Sequence, residues 1–194
     1  MNYSKIFLNL VLLVLSPIVS LAQDLSTPIH VKVDEGWKVF YPLKEQYVSF
    51  TVQSPEIELD SPYNMVLSEK IGVNFTFADK TQWDQKKNLL DGYAEWELGY
   101  MRNQFNQLES RTIQNIKTPN KNILVAEVSF FSKDTNSHNI AYIIAIAAQD
   151  GVVAVTVSSS YSEKDHLMKI VKPIINSAAI TTRPLTLEDL KNLK

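Results

Sequence analysis

Apolar residues recur along this chain with two periods, and the longest stretch with a helical period is residues 82–110. At about 100° per residue, Leu90, Ala94, Leu98, Met101, Phe105 and Leu108 gather on one side of such a helix. Leu89, Tyr93, Trp96 and Tyr100 make a second stripe about 100° round from the first. Thr81 followed three residues later by Asp84 predicts a capping box and a helix start near Gln82. So wide an apolar arc must touch two things, one the sheet of its own domain, the other a neighbouring element, a ligand or a partner. Gly92 and Gly99 each cost a helix interior about 1 kcal/mol relative to alanine. They mark positions where the helix bends or something approaches it closely.

Elsewhere the period is two. Residues 29–33 and 37–41 read as short strands joined across Asp34-Glu35-Gly36. Residues 46–53 place Val48, Phe50 and Val52 on one face, and residues 71–77 do the same with Ile71, Val73, Phe75 and Phe77. Residues 54–68, with Pro55 and Pro62, read as an irregular connection holding at most a short strand at 57–59. After the long helix come a weak strand at 111–117, an alternating one at 123–131 (Leu124, Ala126, Val128 and Phe130 on one face), then 140–148 and 152–159 joined by Asp150-Gly151. Residues 140–148 are apolar on both faces, so the sheet needs cover on both sides. The second cover is a helix capped by Ser162 with Asp165, carrying Leu167, Val171, Ile174 and Ala178 through Ala179, with Pro173 expected to kink it. In the tail, Thr186 caps a short segment with Leu187, Leu190 and Leu193.

This order predicts an α+β fold: an antiparallel sheet with a long central helix and a C-terminal helix, an α/β/α sandwich. Residues 23–180 form the single domain and residues 181–194 the tail. The first 22 residues pair Lys5 with an apolar run at 6–19 and the small-residue site Ser20-Leu21-Ala22. That is the pattern of a secretory signal cleaved after Ala22, too short and too broken by Pro17 to remain as a membrane span. The formal net charge of -2, one unit more negative once Lys5 is removed, gives no footprint for nucleic acid. With no cysteine the exported chain depends on packing alone, which fits a bacterial periplasm. The sequon Asn74-Phe75-Thr76 lies within a predicted strand and is discounted.

In its topology from about Trp37 to Ile180, its Gly36-Trp37 opening strand and its Asp150-Gly151 hairpin before the terminal helix, the chain resembles the PsbP-like and DcrB-like group of small exported proteins. It departs from that group at residues 118–121, where the usual glycine-rich turn has no glycine. The resemblance implies a non-enzymatic binding or assembly module.

The residues themselves offer little chemistry. His30, His138 and His166 have no metal-ligand spacing, and no cofactor motif or glycine-rich phosphate loop is present. A triad of Ser158, Ser159 or Ser160 with His166 and Glu163 or Asp165 lacks the exposed elbow a nucleophile needs. Glu95 and Glu97 flank Trp96 but point to different faces and cannot work as a pair. The expectation is an exported, periplasmic, non-enzymatic binding protein with Leu89, Tyr93, Trp96 and Tyr100 as its binding stripe, meeting another envelope protein or a small apolar ligand. An immunity or inhibitor protein against an exported toxin or hydrolase is one alternative; a hydrolase with an unrecognised site is another. The competing structural reading places the stripe beneath the three tail leucines.

Overall fold

The computed structural model describes residues 27–67, 70–84, 86–118, 121–132 and 136–191. The signal-like residues 1–22 and the tail position Leu193 lie outside them. Two antiparallel sheets form the frame. Strands β1 (Ile29–Val33), β2 (Gly36–Pro42) and β3 (Tyr47–Gln53) pair in sequence, and β11 (Ala179–Thr181) adds to the far edge of β3. The larger sheet contains β4 (Glu58–Ser61), β5 (Asn64–Leu67), β6 (Ile71–Asp79), β7 (Asn106–Thr118), β8 (Lys121–Ser132), β9 (Ser137–Ala148) and β10 (Gly151–Ser160). Its spatial order is β4-β5-β6-β10-β9-β8-β7, so the meander from β7 to β10 is complete and β10 closes onto β6.

The side-chain period of two divides this sheet cleanly. Leu124, Ala126 and Val128 of β8, Ile143, Ala145 and Ala147 of β9 and Val152 and Ala154 of β10 meet helix α1 (Leu89–Gln104). The alternate residues Val125, Ile144, Ile146, Val153 and Val155 meet the smaller sheet together with helix α2 (Lys164–Ser177). The doubly apolar β9 is therefore covered on both faces, and the α/β/α arrangement holds with one difference. The second cover is composite: α2 lies against β3, where the Ser177 hydroxyl accepts the Thr51 N–H at 2.7 Å, so sheet and helix share the layer.

The tail takes a different place from the one its leucines suggest. β11 delivers the chain to the small sheet, and Leu185 and Leu190, the latter on helix α3 (Leu187–Lys191), line a cleft of about 160 Å³ shared with Ile29, Pro42 and Leu43. The Asp189 carboxylate accepts both Arg183 nitrogens at 2.6 and 2.7 Å, the Thr186 hydroxyl and amide at 2.8 and 2.9 Å, and the Tyr47 hydroxyl at 3.3 Å. Those bonds, the Arg183 guanidinium foremost, hold its carboxyl well below the usual carboxylate range. The small sheet and α1 cover opposite faces of the large sheet, so the described tail residues 182–191 lie on the far side from the α1 stripe.

Other boundaries also move. The long helix starts at Leu89, not near Gln82: Lys80–Gln82 is a single 3-10 turn in which the Asp79 carboxylate accepts the Thr81 amide at 2.8 Å. The real cap is Asn88, whose side chain accepts the Asp91 amide at 3.1 Å. The helix ends at Gln104, and the residues expected to continue it begin β7, where Gln107 turns the backbone at φ 51°. The 54–68 stretch holds the hairpin β4–β5. Helix α2 has no side-chain cap from Ser162, and it stops at Ser177 before β11. No helix among the described residues is long and apolar enough to cross a membrane.

Candidate contact surface on helix α1

Helix α1 lies on the sheet by its first stripe, with Leu90 and Met101 buried and Ala94, Leu98, Phe105 and Leu108 packed against the same cluster. Phe105, at the helix end, stacks on Phe130 of β8 with ring centroids 4.2 Å apart. The second stripe divides. Tyr93 is buried and Leu89 half-buried, while Trp96 and Tyr100 are 36 % and 56 % exposed.

A residue the periodicity did not single out holds this flank in place. Trp83, just after the 3-10 turn, meets Tyr93 at 5.7 Å and Trp96 at 6.0 Å between ring centroids, and Tyr93 and Trp96 are themselves 6.0 Å apart. Three rings at such spacings touch one another, so this is a packed aromatic cluster and not an open cage for a cation between the rings. Gly92 makes room for it, because a Cβ there would stand 2.3 Å from Cδ1 of the Trp83 indole. Gly99, on the same helix, has nothing within 4 Å of that position. Gly92→Ala and Gly99→Ala should therefore have opposite signs. The first, forcing the indole out, should cost about 1 to 3 kcal/mol; the second should gain about 0.5 to 1 kcal/mol from helix propensity alone. Denaturant melts of the two variants check this, and a shared sign would refute the account of Trp83.

Glu97, one turn beyond Tyr93, lies on the same side of the helix as its buried hydroxyl. Burial pushes the Glu97 carboxyl above its ordinary range, against the opposing pull of the Tyr93 bond. Burial first, and then the Glu97 charge, push the Tyr93 phenol up as well. Glu95, by contrast, faces outward and pairs with Lys87. The two carboxylates do point apart, as their spacing requires.

A second polar cluster lies across the sheet. Glu127 of β8 accepts Arg111 Nε at 3.0 Å and Nη2 at 3.2 Å, Lys164 Nζ at 3.0 Å and the Tyr142 hydroxyl at 2.9 Å, beneath an open shelf of about 400 Å³. Burial would raise the Glu127 carboxyl, but the bonds from Arg111, Lys164 and Tyr142 prevail and hold it below its ordinary range. This carboxylate is satisfied from within the chain, so the cluster stitches β7, β8 and α2 together. Sequence spacing gave no sign of it, since its members meet only through strand pairing.

The remaining candidates separate. Ser159 Oγ donates to the Lys70 carbonyl at 2.7 Å, Ser160 Oγ meets Ser162 Oγ at 2.9 Å, and His166 Nδ1 stands 3.8 Å from Glu163. No hydrogen bond links these serines to His166 among the described residues. His30 Nε2 donates to the Pro62 carbonyl at 2.7 Å, tying β1 to the β4–β5 turn, and its buried Nδ1 has no partner among the described residues. Burial pushes the His30 imidazole down, outweighing that bond. Among the described residues no group of three or more His, Asp or Glu side chains is placed to hold a metal ion.

No family model matches the chain. No curated protein matches it in sequence. Among solved structures it is similar to the Saccharomyces cerevisiae Ran-binding protein Mog1p at 11 % identity and a TM-score of 0.42, over 81 % of this chain and 96 % of that one. A likeness of that degree carries no argument about partner or activity. The reading of function therefore rests on the exposed rings of α1 and the chain's own physical chemistry.

Proposed function

We propose that this chain is an exported, non-enzymatic binding module of the bacterial envelope whose contact surface is the outer flank of α1. One observation carries the reading. Trp96 and Tyr100 remain 36 % and 56 % exposed on a helix fixed by its buried stripe, and the described tail residues 182–191 lie on the opposite layer. Large rings with a hydrogen-bonding end, held on a rigid element, are favoured anchors of protein interfaces. Export is supported by the signal-like first 22 residues, and a disulfide-free chain agrees with it.

Trp96→Ala tests the reading. The variant should lose at least tenfold in capture of its partner by cross-linking in envelope extract. Its melting temperature should fall by roughly 5 to 10 °C and no more, because the part of the ring packed on Trp83 and Tyr93 contributes about 2 to 3 kcal/mol to the fold. Undiminished capture would remove the flank as the contact surface. A collapse in melting temperature would make Trp96 a core residue.

A further inference from the structure

The shelf above Glu127 lies on the face of the large sheet away from α1, and its charges are unevenly spread. Where β7 pairs with β8, Glu109 stands opposite Ser129 and Arg111 opposite Glu127, and residues opposite one another on a ladder point to the same side. Glu127 and Ser129 continue the row of Val125, which faces the small sheet and α2, so the four side chains stand on that face in two rows about 7 Å apart. Tyr161, in the 3-10 turn before α2, and Lys164, the first residue of α2, complete the shelf. Its volume of about 400 Å³ is that of a small-molecule site.

One row carries surplus positive charge. The Glu127 carboxylate accepts Arg111 through Nε and Nη2, Lys164 through Nζ, and the Tyr142 hydroxyl. Its acceptor capacity is then used up, while among the described residues Arg111 keeps both N–H groups of Nη1 and Lys164 two of its three N–H donors. Two cations thus share one anion, and both are held in place by a carboxylate side chain only 13 % exposed. A second acid docking there meets donors already fixed, so little ordering cost remains.

The other row has the opposite sign. Glu109 lines the same shelf and enters no ion pair among the described residues. Beside the cationic corner stands an apolar surface, the Tyr161 ring, 49 % exposed and with Lys164 Nζ 5.7 Å from its centre. A cationic corner, a carboxylate one row away and an exposed ring complement a molecule with an acid, an ammonium and an apolar group close together.

We propose that this shelf binds a free α-amino acid with an apolar side chain, its carboxylate on Arg111 and Lys164, its ammonium on Glu109 and its side chain against Tyr161. The shelf and the α1 flank lie on opposite faces of the large sheet, so this site stands or falls independently of the contact surface proposed above.

Three probes test it: phenylalanine, N-acetylphenylalanine, which lacks the ammonium, and phenylalaninamide, which lacks the carboxylate. Each is titrated into the isotope-labelled chain while the backbone amides of Arg111 and Ser129 are followed by NMR. Phenylalanine should shift them saturably and bind at least tenfold more tightly than either analogue. Glu109→Gln, at an exposed side chain outside the ion-pair cluster, should remove the preference for phenylalanine over N-acetylphenylalanine. Arg111→Gln should weaken phenylalanine binding at least tenfold. Should Arg111→Gln melt at a markedly lower temperature, Tyr161→Ser at the surface serves instead, with a several-fold loss expected and unchanged binding counting against the site. No saturable shift, equal binding of the three probes, a preference that survives Glu109→Gln, or shifts that map to the α1 face would each overturn the proposal.

Discussion

Gly36→Ala should lower the free energy of unfolding by about 3 kcal/mol or more, although it adds a single methyl group. Gly36 opens β2 at φ 147°, in a region that side chains with a Cβ avoid. It pairs with Val33 across the turn and with Gln53 on the other side, so both of its neighbours are backbone ladders. A Cβ there would stand 2.1 Å from the Val52 carbonyl oxygen and 2.9 Å from the Ser54 amide nitrogen. Neither atom can yield as a flexible side chain would, because moving it breaks the β2–β3 register. The chain has no cysteine and so no disulfide to offset a lost ladder. Equilibrium unfolding in urea reads the effect as a lower midpoint at nearly constant slope, and a loss under about 1 kcal/mol would contradict the geometry.

The parts of the fold that were legible in sequence are those where one physical pattern dominates. In β6 every second side chain is apolar because one face meets the core, and β9 shows no alternation because both of its faces are buried. The stretches that misled are those freed from that pattern. β4 and β5 form an edge hairpin in which Glu58, Leu59 and Asp60 need no buried face, so nothing distinguished them from a loop. β7 is also an edge strand, polar on both faces, while Phe105 and Leu108 continue the helical spacing by coincidence; they pack on the same cluster as α1 through a turn and a strand. β11 has three residues, and only the exposed edge of β3 makes it a strand. At the start of α1, the cap expected from the sequence is not the one that forms, and Asn88 was not singled out there. Thr81 with Asp84 lost because Asp79 already holds the Thr81 amide in a 3-10 turn, and Asn88 with Asp91 won.

The proposed contact surface was legible in part for a similar reason. Helical angles give the direction of Leu89, Tyr93, Trp96 and Tyr100, but the depth of each depends on what arrives from elsewhere. Trp83 closes over Gly92 and buries Tyr93, leaving Trp96 and Tyr100 outside. Gly92 did signal a close approach. Nothing in the spacing says which aromatic makes it. The destination of the tail was equally hidden, because leucines at three-residue intervals fit any apolar surface, and Ile29, Pro42 and Leu43 of the small sheet lie where β11 sets the chain down.

Phe75→Ala should cost about 3 to 5 kcal/mol and should reach across both sheets. The Phe75 ring is fully buried on β6, with Phe50 of β3 and His30 of β1 each at 5.6 Å between centroids, so one side chain on the large sheet touches two strands of the small one. The same corner is tied by polar bonds that depend on the fit of that ring. His30 Nε2 reaches the Pro62 carbonyl, Trp37 Nε1 reaches the Ile57 carbonyl at 3.0 Å, and the Phe75 amide donates to the Tyr63 carbonyl at 2.8 Å. Removing the ring leaves a cavity lined by atoms that cannot all collapse into it, and lets water reach the buried Nδ1 of His30. Two readouts should therefore move together: the unfolding midpoint falls, and the His30 imidazole, now held down by burial, titrates closer to its ordinary range in an NMR pH series. The two layers share one core, so unfolding should remain a single transition. A loss below about 1.5 kcal/mol would place the junction between the sheets elsewhere; an unchanged His30 titration at a large loss of stability would mean that the cavity closes over without admitting water.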